Sequence, residues 1–134
     1  MAPIEDYLDD ESAAISKKLA DAGVLVSIGA HGQREGLAAH WEVWSFARGG
    51  MSPVEALQRA TVDPAKHLGF FQDIGSLEKG KLADLVILDA NPLDNIRNTD
   101  KIDKVMLGGR LYEAETMNET LTGTSRRAPY WWED

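Results

Sequence analysis

Apolar residues change their period once along this chain, near Gly69. Up to that point most of them recur at three- and four-residue steps, which line one face of a helix. After it they come in short runs bounded by turn residues, which read as strands. The first helix is expected over 11–22, with Asp9 or Asp10 as its cap and Ile15 and Leu19 on its buried face. Lys17 and Lys18 suit its last turns, and Gly23 suits the position just past its end. The residues before it, 3–10, are acidic and unpatterned and read as a surface arm. Val24-Leu25-Val26-Ser27-Ile28 follows at once without a charge and reads as a buried strand. Helix, glycine, buried strand is the rhythm of an α/β protein with parallel strands.

Gly29-Ala30-His31-Gly32-Gln33-Arg34-Glu35-Gly36 is then a loop at the end of that strand. A second helix is expected over 37–48, with Leu37, Trp41 and Trp44 on one face and Gly49-Gly50 as its stop. A third begins at Ser52, with Pro53 in the first helical position and Glu55 completing a capping box. It runs to about Thr61, and Asp63-Pro64 opens a short fourth helix through about Leu68. Beyond Gly69, 85–88 reads as a strand buried on both faces, and Asp89-Ala90-Asn91-Pro92-Leu93 as a turn. Residues 102–107 and 110–113 read as a hairpin across Gly108-Gly109. The last twenty residues are polar until Pro129-Tyr130-Trp131-Trp132.

Composition narrows the function. Lys and Arg total 14 against 22 Asp and Glu, a net charge of −8. That charge repels polyphosphate and anionic lipid, so neither nucleic acid nor a membrane surface is an expected partner. There is no cysteine, hence no disulfide and no thiolate metal site, and the compartment stays open. No apolar run approaches the ~20 residues of a bilayer-spanning helix. Met1-Ala2-Pro3-Ile4-Glu5-Asp6 has neither the basic start nor the apolar core of a signal peptide. At 134 residues, with 43% hydrophobic and 27% charged, the chain is globular in composition.

Three ordered motifs carry more than periodicity does. They are Ala60-Thr61-Val62-Asp63-Pro64-Ala65-Lys66-His67-Leu68-Gly69, then Gly75-Ser76-Leu77-Glu78-Lys79-Gly80-Lys81-Leu82-Ala83-Asp84-Leu85-Val86-Ile87-Leu88-Asp89, then Val105-Met106-Leu107-Gly108-Gly109-Arg110-Leu111-Tyr112. Together they resemble the C-terminal part of the amidohydrolase superfamily, and the likeness runs from about Gly23 to Glu113. The resemblance implies an α/β fold. Residues 1–69 would be the terminal strand and helices of a (β/α)8 barrel, 70–113 part of the adjoining β-sandwich, and 114–134 a tail. A whole barrel needs about 250 residues, so only its last unit would be present.

The resemblance also implies a metal-dependent hydrolase acting on C–N bonds, in an active site that needs a His-x-His pair after the first barrel strand. No His-x-His occurs here. The histidines are His31, His40 and His67, and no spacing among them puts two ligands on one helical face. No metal is therefore expected in this chain, whereas zinc or another divalent ion is implied for a full-length protein. After the last barrel strand the family carries Gly-Thr-Asp or Gly-Ser-Asp. Here the corresponding Gly29-Ala30-His31 offers a histidine, the candidate catalytic residue in place of the family aspartate. Its sequence, with His40-Trp41-Glu42 beyond it, looks like a subgroup often attached to a β-propeller. That subgroup is loosely related to imidazolonepropionases and prolidase-like members. Two readings of His31 stand: an active-site lining residue, since imidazole both binds metals and moves protons, or a loop histidine.

The other conspicuous residues have structural readings. His40 and Glu42 suit packing or solvent on the second helix, and Trp41 and Trp44 suit packing. His67 lies in a motif that is structural in the family. Lys79 and Lys81 read as solvated turn residues, and Asp84 as a side chain that fixes the turn by bonding to backbone. Tyr130, Trp131 and Trp132 form an apolar patch that would dock on a partner subunit or on further parts of a longer protein. Two functions remain. One is the C-terminal part of a metal-dependent amidohydrolase, inactive as an isolated chain, whose small-molecule substrate belongs to the longer enzyme. The other is a non-catalytic α/β module that folds by forming a homo-oligomer.

Overall fold

The computed structural model describes residues 9–31, 34, 36–123 and 126–132. Four helices come first: α1 (Asp9–Asp21), α2 (Leu37–Arg48), α3 (Pro53–Gln58) and α4 (Val62–His67). A three-stranded sheet follows: β1 (Leu85–Leu88), β2 (Ile102–Leu107) and β3 (Arg110–Glu113), with a 3₁₀ turn at Ile96–Asp100 between β1 and β2.

Asp9 and Asp10, expected as the cap of α1 or part of an arm, lie inside its first turn together with Glu11. Carboxylates there oppose the positive end of the helix dipole. They also reach α2: Arg48 donates to Asp10 and Asp9 at 2.8 and 2.7 Å. The helix stops as expected. Gly23 has φ of 86°, its N–H bonds Ala20, and the next N–H bonds Leu19. Those two bonds form the left-handed stop that glycine allows. Ile15 and Leu19 do not form the buried face; they are 56% and 45% exposed, and Ala13 is the buried residue. The reason is close approach: a Cβ on Gly49 would lie 2.4 Å from the Ala13 carbonyl carbon. Two small residues bring α1 against the end of α2 and leave the larger side chains outside.

α2 has the expected bounds but not the expected face. Val43, Trp44 and Phe46 are buried with Met51 and Ala56, while Leu37 and Trp41 are exposed. Val26, Ile28, Leu57, Ala60 and Ile96 pack on this core. The Trp44 indole N–H donates to the Thr99 hydroxyl at 2.9 Å, and the Arg97 guanidinium lies 4.7 Å from its ring. The 3₁₀ turn carrying Thr99, which the sequence pattern did not suggest, thus joins the helices to the sheet. α3 carries the expected capping box in full, with the Glu55 carboxylate accepting from the Ser52 N–H at 2.7 Å. It ends at Gln58, short of Thr61, and α4 follows after a turn.

The strand expected over 24–28 is absent: the segment is extended but joins no ladder. Among the described residues its backbone is tied at the ends, Val24 N–H to Leu19 and Ile28 N–H to Arg59 at 3.0 Å each. A strand exists through a neighbour's hydrogen bonds, and no strand lies beside this one among the described residues.

The sheet runs β1-β2-β3 and is antiparallel throughout, with Val86 opposite Val105 and Val105 opposite Tyr112. A bulge falls between Ile87 and Leu88. The Gly108-Gly109 turn has positive φ at both residues, as a two-residue hairpin with native twist requires. β1 is not buried on both faces; Val86 and Ile87 are exposed. It is an edge strand, and Val86 and Ile87 point to opposite faces, so neither face of β1 is fully covered. Lys81 is not a solvated turn residue. Its ammonium donates to the Phe71 carbonyl at 2.5 Å and the Ser76 hydroxyl at 2.7 Å, and sits 3.7 Å from the Phe71 ring centroid. Asp84 does bond backbone, but not in its own turn: it accepts at 2.6 Å from the N–H of Gly108, in the hairpin turn between β2 and β3.

Candidate functional site

α2 presents Trp41, Glu42, Ser45 and Arg48 along one face, because residues three and four apart stack on a helix. This face, the N-terminus of α1 and residues 30–31 line an open cleft of about 420 Å³. His31 is one of its walls, so the candidate residue does reach a concavity. It stands exposed on an irregular segment rather than at the end of a strand. Its neighbours Gly32, Gln33 and Glu35 lie outside the described residues.

Two acidic side chains share the cleft, and both are engaged. Asp9 pairs with Arg48 at 2.7 Å. Glu42 accepts the Gly29 N–H through Oε2 at 2.5 Å. The remaining histidines are elsewhere. His40 is half-buried on α2 with its ring 6.2 Å from that of Trp44, and His67 is exposed at the end of α4. Among the described residues no three His, Asp or Glu side chains gather in a way that could hold a metal ion. Among the described residues that line the cleft, Asp9 and Glu42 are already bonded and His31 is the one imidazole, fewer donors than a zinc centre takes. These described donors do not fit a resident metal.

The sequence pattern missed the role of Glu42. Its only local signal was a carboxylate on the same turn of helix as Trp41. The contact to Gly29 spans thirteen positions and has no periodic signature.

Comparison with known proteins supplies the wider frame. Residues 2–112 match the model of the amidohydrolase family. The ochratoxinase of Aspergillus niger is 31% identical over 69% of this chain and 20% of that protein. Adenine deaminase 1 of Carboxydothermus hydrogenoformans is 36% identical over 54% of this chain and 11% of its own length. Among solved structures, a Xaa-Pro dipeptidase with methionine in its active site superposes with a TM-score of 0.69 at 33% identity. That superposition covers 76% of this chain and 25% of the dipeptidase. The chain therefore spans a quarter or less of each of these relatives.

Proposed function

This chain belongs to the amidohydrolase family, and on that premise we propose that it is the C-terminal part of a metal-dependent enzyme that hydrolyses C–N bonds. Amidohydrolases act on such bonds, and the family is generally metal-dependent. The substrate class we assign is a non-peptide amide, a cyclic amide or a dipeptide. Residues 1–69 are read as the last strand-and-helix unit of the barrel, 70–113 as part of a β-sandwich and 114–134 as a tail. The observation that carries the reading is the family match over 2–112 in a chain that covers 11% to 25% of its relatives. His31 is assigned to the wall of the active site of the whole enzyme, at the place of the family aspartate. As an isolated chain the protein is inactive, because it has no His-x-His.

The test pairs elemental analysis with turnover. The chain, purified without chelator or affinity tag, is assayed against N-acyl amino acids and Xaa-Pro dipeptides with added zinc. The expected result is no stoichiometric metal and no hydrolysis. One tightly held zinc per chain, lost on His31→Ala, or turnover by the isolated chain would overturn the assignment.

A further inference from the structure

The extended segment 24–28 has no ladder to hold it among the described residues, yet it leads to His31 in the wall of the open cleft. Two backbone bonds do this. The Ile28 N–H donates to the Arg59 carbonyl at 3.0 Å, and the next N–H, of Gly29, donates to the Glu42 carboxylate at 2.5 Å. Successive amides of an extended chain point to opposite sides, so one bond ties the segment to the end of α3 and the other to the middle of α2. Glu42 sits next to Val43 and Trp44, both in the core, so the tether is fixed to a rigid element.

We infer that Glu42 is a positioning residue, whose carboxylate clamps the backbone at Gly29 and so aims His31 into the cleft. The inference rests on the proposed role of His31. Its argument is energetic. The Gly29 amide is exposed, so water would satisfy its N–H if Glu42 were absent. The bond therefore acts locally, and its loss leaves no buried donor without a partner. A bond from a backbone amide to a charged acceptor is nonetheless among the stronger kinds, and this one lies two residues from His31. What it contributes is placement.

The experiment compares the full chain with Glu42→Ala, Glu42→Gln and Glu42→Asp by amide hydrogen exchange and backbone relaxation. In Glu42→Ala, exchange at Gly29 is expected to speed up by about tenfold or more, the range for a hydrogen bond to a charged acceptor. Order at 29–31 falls, while exchange at Phe46 and Met51 is unchanged. Glu42→Gln keeps an acceptor oxygen and restores part of the protection. Glu42→Asp, one methylene short, does not. Unchanged exchange at Gly29 in a folded Glu42→Ala would overturn the inference. So would equal loss of protection across the core in both the Ala and Gln variants, which would make Glu42 a packing residue. The outcome separates from that of the functional assignment: if His31→Ala leaves the whole enzyme active, the assignment of His31 fails, whereas the tether is judged by Gly29 alone.

Discussion

Asp63 is 5% exposed and forms an ion pair with Arg59, four residues earlier. The same arginine offers its carbonyl to Ile28, so this pair stands behind the segment that leads to His31. A largely buried pair is weak evidence for stability, but removing Asp63 leaves the mostly covered Arg59 charge without its partner. Asp63→Ala is therefore expected to destabilise the fold by about 3–5 kcal/mol in urea unfolding. Replacing both residues with apolar ones of similar volume should recover most of the loss. A cost below about 1 kcal/mol would place the pair in the range of solvent-exposed ion pairs. The i, i+4 spacing of Arg59 and Asp63 was visible in the chain; their burial was not, because it depends on what covers them.

Among the elements, α3 was the most legible, since every part of its start signal is local. Ser52, Pro53 and Glu55 specify the cap without reference to the rest of the molecule. The Glu55 carboxylate titrates below its ordinary value of 4.5, first because the Ser52 backbone N–H bonds it, then through the Ser52 side chain and Lys17. A folded value below the unfolded one adds stability above the ordinary carboxylate range, and that stability is lost as pH falls through the lowered value. Wild type should thus exceed Glu55→Gln in unfolding free energy at neutral pH, and the two should converge in acid. A constant difference down to pH 2 would remove the charge from the cap's account. The segment 24–28 shows the opposite case. Its composition suits a strand, but strand pairing is a property of two segments.

At the scale of the whole molecule, the exposed apolar surface is the main feature. Val86 and Leu107 are exposed on the sheet, and the β1 edge has no partner strand among the described residues. Trp131 and Trp132 are 85% and 61% exposed. Tyr130 and Trp132 stack at 4.4 Å, with Trp131 edge-on at 5.5 Å, so the aromatic rings form one cluster. Apolar edges and clusters of this kind drive association unless covered. The expected state is a dimer or larger, read by light scattering at micromolar concentration. A monodisperse monomer with cooperative unfolding would instead mark a self-sufficient domain.

What the sequence by itself determined is what depends on near neighbours. The bounds of α2, β2 and β3, the Gly23 stop, the capping box and the Gly108-Gly109 hairpin all follow from residues within a few positions of one another. The order of its three motifs also pointed to the family. The tertiary structure alone decided which face of α1 and α2 is buried, because Ala13 meets Gly49 and brings those helices close. It also turned Lys81 inward onto Phe71, joined Trp44 to Thr99, and placed the Glu42 carboxylate on the Gly29 amide. In each case the deciding atom comes from a separate part of the chain, and hydrophobic period, turn chemistry and capping report only on what lies nearby.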